Sequence, residues 1–123
     1  MRDKTQRRAA WRRGRIAEFV CLWHLRLRGY RILARRYRAA VGEIDLIARR
    51  GGIVAAIEVK SRAELGAAGT ALKPRQQRRI ARALAQFVAS RPDLAGLDLR
   101  FDVMLVVPRR LPRHLADAWR IDF

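Results

Sequence analysis

A chain of 123 residues, half of them hydrophobic, is long enough to bury one core and too apolar to be a disordered basic tail. Lys and Arg total 28 against 11 acids, and the resulting charge of +17 favours a polyanionic partner through release of phosphate counterions. The single cysteine, Cys21, excludes a disulfide framework and a Cys-based zinc site, and no apolar run approaches the ~20 residues of a transmembrane helix, so a cytoplasmic protein with no membrane partner is expected.

Residues 1–13 are basic around Trp11 and show no clear period, which reads as a flexible arm. Residues 14–123 read as one domain. From Arg15 the pattern is helical: Ile16, Phe19, Val20, Trp23 and Leu27 recur at offsets of three and four and predict the inward stripe, with a stop at Gly29. Tyr30–Arg36 reads as a strand. Glu43–Arg49 and Ile53–Ser61 are two further strands, and Gly51-Gly52 between them is a hairpin turn signal. Residues 62–72 read as an irregular loop. Pro74 opens a second helix to about Ser90, with an inward stripe of Ile80, Leu84, Phe87 and Val88. Leu99–Val107 is a last long strand, and the tail with Leu115 and Trp119 reads as a helical turn or an edge segment. The order αβββαβ fits a single α/β domain with a mixed sheet flanked by helices.

In so basic a chain the few acids carry the information. With a two-residue hairpin at Gly51-Gly52, Asp45 falls opposite Glu58 and Glu43 opposite Lys60, each pair sharing a face with Cβ atoms ~5 Å apart. Ile44, Leu46 and Ala48 then share the other face with Val59, Ile57 and Ala55. Two facing carboxylates repel, and three arrangements relieve them: a retained proton, a bridging cation such as Lys60, or a bound divalent metal. Glu18, with Cys21, Leu22 and Leu25 at plus three, four and seven, is either a buried acid that needs a partner or an ordinary surface acid near a helix start.

The segments Gly14-Arg15-Ile16-Ala17-Glu18, Gly29-Tyr30-Arg31-Ile32-Leu33, Gly42-Glu43-Ile44-Asp45-Leu46-Ile47-Ala48 and Glu58-Val59-Lys60-Ser61-Arg62, with Lys73 and Arg100-Phe101-Asp102-Val103, resemble the small bacterial YraN-like proteins, also called UPF0102. The resemblance spans about Gly14 to Trp119. It implies a restriction-endonuclease-like fold of the PD-(D/E)XK nuclease superfamily, near archaeal Holliday-junction resolvases. It further implies Asp45 and Glu58 as acidic ligands of Mg²⁺ or Mn²⁺, the Val59 carbonyl as another ligand, Lys60 as the catalytic lysine and Glu18 as the helix-borne glutamate of the metal shell. Ile44 stands where the superfamily commonly has Pro. A branched-DNA substrate and a homodimer are the corresponding expectations.

The chemistry so implied is phosphodiester hydrolysis in DNA. The basic residues supply its approach: Lys73, Arg75, Gln76, Gln77, Arg78, Arg79 and Arg82 lie along the start of the second helix, whose N-terminal N–H groups and dipole suit a phosphate. His24 and His114 have no second histidine nearby in sequence and are discounted as ligands. Asp102 is expected to pair with an arginine.

Overall fold

The computed structural model describes residues 4–61 and 72–121, with residues 4–13 described by backbone only. Helix α1 (Lys4–Leu27) leads into strands β1 (Arg31–Ala39), β2 (Gly42–Arg50) and β3 (Ile53–Ser61); helix α2 (Pro74–Ala89) and a 3-10 turn (Pro92–Leu94) then precede β4 (Asp98–Val106) and β5 (Arg113–Trp119). The five strands form one sheet in the order β1-β2-β3-β4-β5. Only β3 and β4 run parallel, because the α2 crossover returns the chain to the same end of the sheet. The architecture is the expected α/β domain with a mixed sheet. The tail forms the edge strand β5, and of the expected loop, residues 62–71 lie outside the described residues.

The two helices cover opposite faces. Ala17, Cys21 and Leu25 of α1 pack with Tyr30, Leu46, Ala48, Ala55, Ile57, Val59 and Met104. Ile80, Ala81, Leu84 and Phe87 of α2 pack with Ile44, Ile47, Val54, Ala56 and Phe101. Gly42 allows α2 to come this close, since a Cβ there would lie 2.6 Å from the Arg79 carbonyl oxygen. In the hairpin, Gly51 takes φ +58, a left-handed conformation that costs glycine little.

From Lys4 onward the basic N-terminal segment is the first part of α1. Two expectations are corrected here. The stripe read as inward is the outward one: Ile16 (57% exposed), Phe19, Val20, Trp23 and Leu27 (85%) face away from the sheet, while the buried face is Ala17, Glu18, Cys21, Leu22 and Leu25. α1 has two apolar faces, and the smaller, tighter side chains are the ones that fit against the pleated sheet. Finally, Ile44 joins the α2 core whereas Leu46 joins the α1 core. Residues two apart on a regular strand share a face, so β2 rotates between them, at Asp45.

Candidate active site at a fork in the sheet

The β2–β3 ladder runs from Arg50↔Ile53 to Leu46↔Ile57, the register expected from the Gly-Gly turn. It stops one residue before the expected facing pair of Asp45 and Glu58. Beyond it β2 continues beside β1 to Gly42, with Glu43 paired to Arg38 rather than Lys60, and β3 continues beside β4 to Ser61. The sheet therefore forks. At the crotch Asp45 replaces the lost backbone partner with its side chain: the Val59 N–H donates to Asp45 Oδ2 at 2.8 Å.

Glu58 lies in the same crotch and is 7% exposed. Burial, and then the Asp45 charge, push its carboxyl up to about 8, against the opposing pull of Lys60 and of a hydrogen bond from the Asp45 backbone. Asp45, Glu58 and Lys60 thus interact as one cluster. A buried carboxyl raised beside a second carboxylate is the condition that favours an added cation or a proton. The paired carboxylates offer hard oxygen donors, the kind that suit Mg²⁺ or Mn²⁺. Among the described residues, however, no three His, Cys, Asp or Glu side chains gather closely enough to form a complete metal-holding group.

Glu18 explains that count. It is buried on the inner face of α1, and its Oε2 accepts from Arg36 Nε at 2.8 Å. Arg36 sits on β1 between the pairs Arg35↔Leu46 and Tyr37↔Ile44, beside the point where β2 rotates, and its φ is +50. A left-handed conformation in a bulky residue costs about 1–3 kcal/mol, here accompanied by a partly buried ion pair. Asp45 and Glu18 both act on Arg36 electrostatically. They also act on Cys21, whose thiol is pushed up to about 12 by burial first and by these two acids after it. Cys21 is therefore an inert spacer between α1 and the fork. Arg36 was not picked out from the sequence, although the adjacent Arg35-Arg36 breaks strand alternation and so marks an irregularity.

The basic residues of α2 lie along the β1–β2 turn and the start of β2. Arg75, Arg78, Arg79 and Arg82 wall a hollow of about 390 Å³ with Ala40 and Val41. A second hollow of about 510 Å³ shares Arg75 and Arg79 with it, adds Lys73 and Gln76, and reaches Glu43, two residues from Asp45. Gln77 is used differently: its Nε2 donates to the Leu72 carbonyl at 3.1 Å, tying down the chain that enters α2.

Asp102 lies elsewhere, fully buried between β4 and β5. Arg100 grips both its oxygens at 2.9 and 2.8 Å, His114 Nε2 lies 2.7 Å from Oδ2, and the Asp117 N–H donates to Oδ1 at 2.9 Å. Burial works to raise this carboxyl, but the hydrogen bonds from His114, Arg100 and Asp117 outweigh it and hold it below its ordinary value. The expected arginine pairing is present. His114, discounted in the sequence as a metal ligand, completes it.

Fold and site together define a small, strongly basic α/β protein with an acid–acid–lysine cluster where its sheet forks. The chain belongs to the uncharacterised protein family UPF0102, whose model matches residues 17–106. It is 58% identical over 112 residues to a UPF0102 protein of Parvibaculum lavamentivorans, covering 91% of this chain and 84% of that relative. It is 54% identical over 118 residues to one of Paramagnetospirillum magneticum, covering 93% and 92%. No helix of the described residues is long and apolar enough to cross a membrane.

Proposed function

We propose that the protein is a divalent-metal-dependent endonuclease that hydrolyses phosphodiester bonds in DNA. The observation that carries this reading is the convergence of Asp45, Glu58 and Lys60 at the fork, beside hollows walled by arginines. One acid of the cluster, Glu58, is raised by burial first and by the neighbouring Asp45 charge after it. Asp45 and Glu58 are the residues to hold Mg²⁺ or Mn²⁺, with the Val59 carbonyl as a further donor by resemblance to the nuclease superfamily. The ion's contribution there is Lewis-acid chemistry at the scissile phosphate and a lowered pKa for the attacking water. Lys60 stabilises the negative charge that develops on the phosphate oxygens. Lys73, Arg75, Gln76, Arg78, Arg79 and Arg82 hold the flanking backbone, with Gln77 fixing the entry to α2. Glu18 serves the shell through Arg36, whose ion pair keeps a cationic group next to the acids. Branched DNA is the substrate class to test first, given the resemblance to junction resolvases, and a homodimer with two such sites fits that substrate.

A second reading is a nucleic-acid-binding module of the same fold with little or no cleavage. It is favoured by one feature, the engagement of Glu18 by Arg36, which leaves two acids at the fork. A cleavage panel of branched, duplex and single-stranded DNA, and of RNA, with Mg²⁺ or Mn²⁺ separates the two. Glu58→Ala and Lys60→Ala are expected to abolish cleavage while changing DNA affinity only a few-fold, since their roles belong to the transition state. Arg75→Ala/Arg78→Ala/Arg79→Ala is expected to flatten the dependence of log affinity on log salt. Native protein that cuts nothing in the panel yet keeps a steep salt slope is the binding module.

A further inference from the structure

The outward face of α1 has no role in the reading above. Among the described side chains of α1, the exposed positions are Arg15, Ile16, Phe19, Val20, Trp23, Arg26 and Leu27, each apolar or arginine. Five of the seven exposed large hydrophobic side chains among the described residues lie on this one stripe. The only acid in the helix, Glu18, is turned inward onto Arg36. From Ile16 to Leu27 the stripe is about 16 Å long at 1.5 Å per residue, and its spacing of i, i+3, i+4, i+7 and i+11 forms a ridge that fits the groove of another helix. Contiguous exposed apolar surface rimmed by charge marks an interaction site.

We propose that this face docks an acidic amphipathic helix of a partner protein, apolar on one side and flanked by Asp and Glu. Charge complementarity selects the partner: among the described side chains the rim offers Arg26 and Arg28 and no exposed acid. Two copies of the chain in contact here bring like-charged rims together, which opposes self-association. Base stacking is disfavoured by the rings themselves, because Phe19 packs edge-on to Trp23 at 6.3 Å and Arg26 lies 5.1 Å over the Trp23 ring. α1 and α2 cover opposite faces of the sheet, so the partner and a nucleic acid on α2 bind together. The proposal stands apart from the nuclease reading, since it uses none of the fork residues.

The probe is a designed, fluorescently labelled helical peptide with Leu at the ridge spacing and Glu elsewhere, titrated with the full chain and followed by anisotropy. Two controls replace Leu by Ser, or Glu by Lys. The Leu/Glu peptide is expected to bind saturably and at least about tenfold more tightly than either control, as an interface with a few apolar anchors does. Phe19→Ser/Trp23→Ser/Leu27→Ser is expected to weaken it by about tenfold or more with an unchanged melt, because these side chains are exposed. Arg26→Glu/Arg28→Glu, which leaves the apolar stripe intact, is expected to weaken it as well. Equal binding of the Ser control, or no loss in both variants, overturns the proposal. So does a dimer in sedimentation that the triple variant returns to monomer, which assigns the face to a second copy. Absence of peptide binding, with triple-variant-sensitive binding to phosphatidylserine vesicles, overturns it in favour of an anionic lipid surface.

Discussion

Asp45 and Asp102 occupy matching positions in the sheet. Each lies beside a non-glycine residue in left-handed conformation on a neighbouring strand, Arg36 (φ 50) and Asp117 (φ 54), Asp45 where the β2–β3 ladder has ended and Asp102 where the β4–β5 register shifts. Each carboxylate accepts a backbone N–H from an adjacent strand, that of Val59 on β3 for Asp45 and that of Asp117 on β5 for Asp102. The surroundings differ. Asp102 is met by a guanidinium and an imidazole in direct contact; the Asp45 charge acts on a second, buried carboxylate, Glu58, as well as on Arg36. A buried acid supplied with all its partners locks an edge strand in place. A buried acid set beside another carboxylate is pushed toward holding a proton, and a bound cation relieves the same repulsion.

The largest expected effect breaks the satisfied side. Asp102→Ala leaves Arg100, His114 and the Asp117 N–H without their acceptor, at about 3–5 kcal/mol for a broken buried pair, read as a shift in urea midpoint. DNA affinity measured in the folded range is expected to stay unchanged, because Asp102 lies away from the fork. A loss of DNA binding as large as that of the α2 arginine variant contradicts the division of labour between the two acids.

The second prediction uses opposite signs of pH dependence. Glu58 is raised from 4.5 to about 8, so between those values the folded state holds a proton that the unfolded chain has released. Stability is therefore present at low pH and is lost as pH rises through this window, by an amount of order a few kcal/mol in metal-free buffer. Asp102 is depressed, so its contribution is present above the ordinary Asp range and is lost as pH falls through and below it. Metal-free native protein should weaken at both ends. Glu58→Gln is expected to remove the alkaline limb and leave the acid one. An alkaline limb that survives in Glu58→Gln means that another group carries it.

The sequence made one of these two sites more legible than the other, and the reason is locality. The β2–β3 register follows from Gly51-Gly52 alone, so Asp45 and Glu58 were brought close by counting along one hairpin. What counting missed is that the strands part at Leu46↔Ile57, a fork set by the competing pull of β1 on β2 and of β4 on β3. Arg36 reaches Glu18 over 18 positions and His114 reaches Asp102 over 12; no local pattern encodes either distance. The inverted face of α1 has a different origin. Both of its sides are apolar, and the larger side chains gave the stronger period. Yet the neighbours of Glu18 at plus three, four and seven, Cys21, Leu22 and Leu25, were the buried set. That choice needs the sheet it packs on.

The smallest effect sharpens the comparison most, because it asks whether Asp45 is a second Asp102. Asp45→Asn keeps a side-chain oxygen to accept the Val59 N–H and removes one of the two facing charges. Without metal at pH 8 the variant is expected to match the native protein or exceed it by a few tenths to ~1 kcal/mol, the scale of like charges opposed across strands. Millimolar Mn²⁺ or Mg²⁺ is expected to stabilise the native protein by linkage, since the folded fork binds the ion and the unfolded chain does not, and the variant should lose most of that gain. The measurement is a set of thermal melts at fixed ionic strength, with and without metal. If Asp45→Asn is clearly destabilised without metal, and the native melt is indifferent to it, then the Asp45 charge is balanced by fixed partners just as that of Asp102 is. The fork is in that event a structural joint, and Asp45 leaves the list of metal ligands.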